Sequence, residues 1–219
     1  MPMIFENVRE VEVRAVNGHI RLKGWEREHV EVDYTPHGEV DVEVEEKDGK
    51  LIIREEPKKR FLNLLRKEGW AEIEVSVPKA VVVSAETVNG ELRAENVRFA
   101  EATTVNGELD LKDCEAKLIT TVNGRAKADL STAGPLKATT VNGRMVLEIE
   151  ELEGDVEVAS VNGNLVVRLS DFCDARVAVS RFNGTVRFVG IDPEEPVIGA
   201  GTYTVRVSTV NGGVSVELV

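Results

Sequence analysis

Glu108 and Asp110 lie near Arg125 and Lys127 of a very similar stretch of chain. Carboxylates placed this way on neighbouring strands could serve as acid and base on an acidic polysaccharide. The same four residues read more simply as ion pairs between strands, each worth little alone. No row of aromatic residues that would stack on sugar rings accompanies them. A nucleophilic thiol needs a base beside it. Cys114 and Cys173 have none nearby in sequence, because His19, His29 and His37 all fall in the first part of the chain. Those histidines could gather as a metal site, yet no His or Cys pair has short ligand spacing, and they read as ordinary surface positions. Glu148, Glu150, Glu151, Glu153, Asp155 and Glu157 could attract calcium or a basic partner. They lack calcium-loop spacing, and such a run is usually a solvated face. The residues therefore designate no catalytic group, no metal ligand and no cofactor.

The elements that carry these residues repeat. Asn-Gly occurs as Asn17-Gly18, Asn89-Gly90, Asn106-Gly107, Asn123-Gly124, Asn142-Gly143, Asn162-Gly163, Asn183-Gly184 and Asn211-Gly212. Successive glycines are 72, 17, 17, 19, 20, 21 and 28 residues apart by subtraction. An apolar residue precedes each Asn: Val16, Val88, Val105, Val122, Val141, Val161, Phe182 and Val210. After each Gly the apolar residues alternate, as in Leu109 and Leu111 or Met145 and Leu147, which marks a strand buried on one face. The parity of the incoming strand differs, so the chain must bend at the motif. Asn-Gly tolerates positive φ and would supply the bend.

Two arrangements compete for this pattern. As a two-residue hairpin turn, Asn-Gly would set Val105 opposite Glu108 and leave the Thr or Ser at Thr87, Thr104, Thr121, Thr140, Ser160 and Thr209 unexplained. As the corner of stacked coils about 4.8 Å apart, it would align Thr, Val and Asn in columns that share hydrogen bonds. The expected fold is therefore all-β, a single-stranded parallel β-helix (β-solenoid) forming one domain over 1–219. Residues 1–80 would make irregular N-terminal coils, and 81–219 the regular Val-Asn-Gly coils. Three coil steps would hold Cys114 and Cys173 roughly 14 Å apart, beyond the span of a disulfide.

One segment breaks the pattern. "PKKRFLNLLRKEGW" predicts a short helix over 58–68, with Phe61, Leu64 and Leu65 on one stripe and Lys58, Lys59, Arg60, Arg66 and Lys67 around it. It could cap the first coils or dock on a membrane or an acidic partner. At the other end "STVNGGVSVELV" finishes on a repeat strand, so end-to-end self-association through residues 208–219 is expected.

The formal net charge of −12 argues against a general role on nucleic acid or anionic lipid. Charged residues make up 30% of the chain while glutamine is absent, a profile like that of proteins from very hot habitats. The start "MPMIFENVRE" has neither a basic nor an apolar signal region, and no run is long enough to span a membrane, so a soluble cytoplasmic protein is expected.

"VNGHIRLKGWEREHVEV", then "EVSVPKAVVVSAETVNGEL", then short units each opening on Val-Asn-Gly make the chain resemble the putative-adhesin, or toast-rack, family of unknown function. The likeness covers nearly the whole chain. It implies a single-stranded β-helix and a scaffold or interaction role linked to membranes or the cell envelope, and it brings no catalytic residues. The function expected is a non-catalytic structural scaffold or protein-interaction module that can self-associate. The alternatives are a polysaccharide-active enzyme and a membrane-docking module using the basic helix.

Overall fold

The computed structural model describes residues 2–57 and 69–219, and among these every regular element is a strand. In chain order they are β1 (Met3–Phe5), β2 (Glu10–Ala15), β3 (His19–Trp25), β4 (Val30–His37), β5 (Val40–Lys47), β6 (Lys50–Pro57), β7 (Trp70–Pro78), β8 (Val82–Thr87) and β9 (Glu91–Glu95). There follow β10 (Arg98–Thr104), β11 (Glu108–Thr121), β12 (Arg125–Thr140), β13 (Arg144–Leu152), β14 (Val156–Asn162), β15 (Asn164–Leu169), β16 (Ala175–Val189), β17 (Val197–Ile198) and β18 (Tyr203–Leu218). The helix expected over 58–68 lies outside the described residues.

Strands that lead into Asn-Gly corners, together with the β5–β6 hairpin, form one wall, in the order β5, β6, β2, β8, β10, β11, β12, β14, β18, β16. Strands that leave the corners, together with β1, β4 and β7, form a second wall, in the order β1, β4, β7, β3, β9, β11, β12, β13, β15, β18, β16. β11 and β12 start in the second wall and end in the first, while β16 and β18 run through the Asn-Gly corner. Hydrogen bonding therefore continues around both margins of the cross-section. All strands join in one 18-stranded, barrel-like sheet.

This overturns the single-stranded parallel β-helix expected from the repeats. Such a helix lays each turn on the one before it. Here β4 is antiparallel to both β1 and β7, β5 is antiparallel to β6, and β17 is antiparallel to β16. Position in the sheet does not follow position in the chain either. The last unit, β18, is inserted between β14 and β15 on one side and β16 on the other. The first Asn-Gly unit, β2 and β3, lies between β6 and β7 on one side and β8 and β9 on the other. The physical cause is connection length. The 72-residue gap lets the chain run to one extremity, build β4 to β7 and return, and the 28-residue gap lets β18 reach back across β16.

Local chemistry separates hairpin from corner. Asp48 and Gly49 both have positive φ, 54° and 79°, as a tight hairpin turn demands, and they join β5 to the antiparallel β6. No motif asparagine has positive φ, and of the motif glycines only Gly184 and Gly212 do. The strands flanking an Asn-Gly pair do not pair with each other: β8 bonds to β2 and β10, whereas β9 bonds to β3 and β11. The repeat is thus a corner between walls, though not by way of left-handed asparagine.

The core fills the space between the walls. Inward residues align in columns, such as Ala85, Ala102, Ile119, Ala138, Val158 and Val207 in the first wall, all 2% exposed or less. Volumes compensate along a unit. Ile119 is followed by Ala126 and Ala128, whereas Ala102 is followed by Leu109 and Leu111. A large side chain in one wall is thus offset by small ones in the other, as close packing of an interior requires.

Candidate functional site: the asparagine corner

At six of the eight corners a Thr or Ser turns inward, with buried Ala15 in its place at the first and exposed Arg181 at the seventh; the next residue turns outward and the Asn amide lies along the wall. The amides form a column. Nδ2 of Asn89 donates to Oδ1 of Asn17 at 3.0 Å, Asn106 to Asn89 at 3.0 Å and Asn123 to Asn106 at 3.0 Å. Asn142 then donates to Asn123 at 2.9 Å, Asn162 to Asn142 at 3.1 Å, Asn211 to Asn162 at 2.9 Å and Asn183 to Asn211 at 3.5 Å. All these amides point the same way, so their dipoles reinforce one another.

Glycine is needed for contact rather than for dihedral freedom at most corners. A Cβ on Gly107 would overlap the carbonyl oxygen of Gly90, one on Gly124 that of Gly107, and one on Gly143 that of Gly124. The Cα hydrogen that stands there instead points at that oxygen, a weak C–H···O contact repeated up the column. Asn gives each corner a lateral hydrogen bond, and Gly lets neighbouring corners close to bonding distance.

The Thr column behaves differently from expectation. Thr87 Oγ1 donates to the Gly18 carbonyl at 3.2 Å. The hydroxyls of Thr104, Thr121, Thr140, Ser160 and Thr209 are buried without a hydrogen-bond partner. They fill space beside the glycines and do not bond to one another. The expected ladder of shared threonine hydrogen bonds is absent from this inner column among the described residues.

The residue before each Asn is the one the sequence misplaces most. These residues are apolar, yet they face outward. Val16, Val141, Val161 and Val210 are 45%, 38%, 43% and 44% exposed, and Phe182 is 87% exposed. Val88, Val105 and Val122 are half-buried. Together they make an apolar ridge along the barrel beside the asparagine column. The signal was present in the alternation, since burial of Ala102 and Thr104 sends Val105 outward.

Where the column begins, Glu55 replaces a missing turn. Elsewhere Asn106 N donates to Val88 O and Asn123 N to Val105 O, each at 2.7 Å. At the first corner Val16 N donates to Glu55 Oε2 at 3.0 Å and Asn17 N to the same oxygen at 3.3 Å, while Asn17 Nδ2 donates to the Gly69 carbonyl at 3.4 Å. Glu55 is 6% exposed, and burial holds its carboxyl above the ordinary value of 4.5 although these backbone N–H groups pull it down. The inward alternation Leu51, Ile53, Glu55 carried the signal for this residue, which sequence reasoning missed.

The other candidates disperse into structural roles. Glu108 pairs with Arg125 at 3.8 Å with both side chains mostly exposed, and Asp110 sits in register beside Lys127. Of the acidic run, Glu148 flanks Arg168 at 3.5 Å opposite Glu217 of β18 at 3.0 Å, and Asp155 Oδ1 accepts from Thr204 N at 2.8 Å. His19 and His37 both pack on Trp70, with centroids 5.2 and 4.1 Å away, and His29 packs on Trp25 at 5.1 Å. They are packed aromatics rather than ordinary surface histidines. Cys114 and Cys173 are free and buried, and burial pushes the Cys114 thiol up to about 11. Lys58, Lys59, Arg60, Phe61, Leu64, Leu65, Arg66 and Lys67 lie outside the described residues. Residues 208–219 do not form a free end, because β18 is paired along both edges.

Fold and site together define an all-β protein whose repeated motif builds a polar column and an apolar ridge. No family model matches the chain, and no curated protein matches it. Solved structures with similar chains include a "putative cell adhesion protein" from Clostridium sporogenes, with 14% identity, 100% of this chain and 99% of that one covered, and a TM-score of 0.41. Another is a "putative adhesin" from Bacteroides fragilis, with 11% identity, 100% and 96% covered, and a TM-score of 0.48. A third is a "putative lipid binding protein" from Parabacteroides distasonis, with 11% identity, 100% and 96% covered, and a TM-score of 0.37. The first two of these neighbours bear adhesion names and the third a lipid-binding one. None of them is named as an enzyme.

Proposed function

We propose that the protein is a non-catalytic scaffold whose apolar ridge binds a protein partner. The observation that carries this reading is the ridge itself. Every corner presents an outward valine or phenylalanine at a spacing of about 4.8 Å, next to amides already bonded to one another. A long apolar strip rimmed by polar groups is the usual mark of an interaction surface. The exposed ion pair of Glu108 with Arg125 supports the same reading, since one of the two carboxylates that could have served an enzyme is held by a neighbouring cation. Two buried free thiols suit a reducing, cytoplasmic setting.

The test is the triple substitution Val141→Lys, Val161→Lys and Val210→Lys, made on exposed side chains. Retention of partner proteins from the host extract should fall sharply while the melting temperature stays within a few degrees. Equal retention by the variant would remove the ridge from the function. Turnover of an acidic glycan by the wild type, lost in Glu108→Gln, would replace the scaffold reading with the enzyme reading.

A further inference from the structure

The two extremities of the barrel differ in a way that bears on self-assembly. At one of them β16 is bonded along one edge to β18, while β17 and the Pro196 carbonyl cover only its start, at Ala175 to Val177. From Ala178 to Val189 no strand pairs with its outer edge among the described residues. The core is also open there: Val179, Val186 and Phe188 are only partly buried, and Phe182 is largely exposed. β16 carries Arg176, Arg181 and Arg187 and no acidic residue. These arginines form no ion pair within 4 Å among the described residues.

At the opposite extremity the outermost strand of the same wall is β5, bonded only to β6 among the described residues. Its sequence, VDVEVEEK, sets Asp41, Glu43, Glu45 and Glu46 against one lysine. It runs antiparallel to β6, and so to the parallel strands beyond.

We propose that a second copy of this chain binds head to tail, its acidic β5 edge pairing antiparallel with the basic β16 edge of the first. Free strand edges with complementary charge recognise each other by backbone bonding, with the charges selecting orientation. The same charges disfavour two copies meeting by the same end. An antiparallel β16 pair would bring Arg181 and Arg187 of each copy toward those of the other, and a β5 pair would oppose carboxylates. A contact between unlike ends does not close, so it extends to a third copy and beyond. The ridge substitutions at Val141, Val161 and Val210 leave both of these strand edges untouched.

The experiment uses the full chain in sedimentation and light scattering, at low and high salt. Wild type should rise in mass with concentration past the dimer, and less so in high salt. Arg181→Glu with Arg187→Glu, and separately Glu43→Lys with Glu45→Lys, should each be monomeric alone. Their mixture should associate again past the dimer, because the intact basic end meets the intact acidic end and the two charge-reversed ends complement each other; a mixture that stays monomeric would overturn the pairing of unlike ends. If the double substitution in β16 fails to fold, Arg187→Glu alone should weaken association about tenfold. A wild type that stays monomeric throughout would overturn the proposal. So would wild-type association by the β5 variant alone, which would mean pairing of like ends.

Discussion

At the scale of single residues, the corner assigns different work to three neighbours that look alike in sequence. Gly124 permits contact, Asn123 supplies lateral hydrogen bonds to Asn106 and Asn142, and Val122 is largely spectator to the fold. Their substitutions should therefore rank. A Cβ at position 124 meets backbone that cannot rotate away, so Gly124→Ala should cost about 3 kcal/mol or more and Gly124→Val more still. Asn123→Ala removes one amide from the middle of the column, at roughly 0.5 to 1.5 kcal/mol for each of two bonds, less where water replaces them. Lys127→Ala, on an exposed side chain, should stay within about 0.5 kcal/mol. Thr121→Val is the sharpest member of the series. Its buried hydroxyl has no partner, so an isosteric methyl should be neutral or stabilising. Urea titrations of the five variants measure this order, and a Thr121→Val penalty as large as that of Gly124→Ala would mean the hydroxyl has a bonding role.

At the scale of elements, β6 ends the asparagine column by offering a carboxylate where every other strand offers carbonyls, and this makes one end of the column titratable. Glu55 holds its proton more tightly folded than unfolded, because burial outweighs the hydrogen bonds from Val16 and Asn17. The sign follows directly. Its contribution to stability is full below the ordinary value of 4.5 and is lost as the pH rises through the higher folded value. Melting curves of wild type and Glu55→Gln, from below pH 4.5 to neutrality, should diverge with wild type losing ground as pH rises. A constant difference would show that burial does not dominate the titration. Strand existence and the inward faces of β8 to β15 were legible in the sequence, because alternation of Ala, Leu and Val is a local signal. The roles of Asn-Gly and Asp48-Gly49 were less so. Both pairs permit a turn, and only the facing of the strands on either side decides between corner and hairpin. Glu55 was legible in principle as a charged residue on a buried parity, but the missing turn it replaces is a long-range fact.

At the scale of the whole molecule, order along the chain and order in the sheet diverge, and no local pattern encodes that divergence. Each corner resembles every other, so the repeat constrains which residues align but leaves open which units become neighbours. Long connections then permit exchange of position. The consequence is testable by truncation. If units followed chain order, removing the last one would trim an end and leave the remainder paired. Because β18 separates β16 from β14 and β15, a chain ending at Ala200 loses an interior unit. Val205, Val207, Val214 and Val216, each 2% exposed or less, go with it. Their burial is worth roughly 6 to 12 kcal/mol gross at about 1.5 to 3 each, comparable to the whole stability of an ordinary domain. The truncated chain should lose protection from hydrogen exchange throughout β16 and along the edges of β14 and β15 that faced β18, with cooperative melting lost or displaced far downward. Retention of a protected β16 would require that it close directly onto β14 and β15. The shared Asn-Gly geometry of the corners makes that re-pairing the one competing outcome, and Asn183 bonded to Asn162 would be its signature.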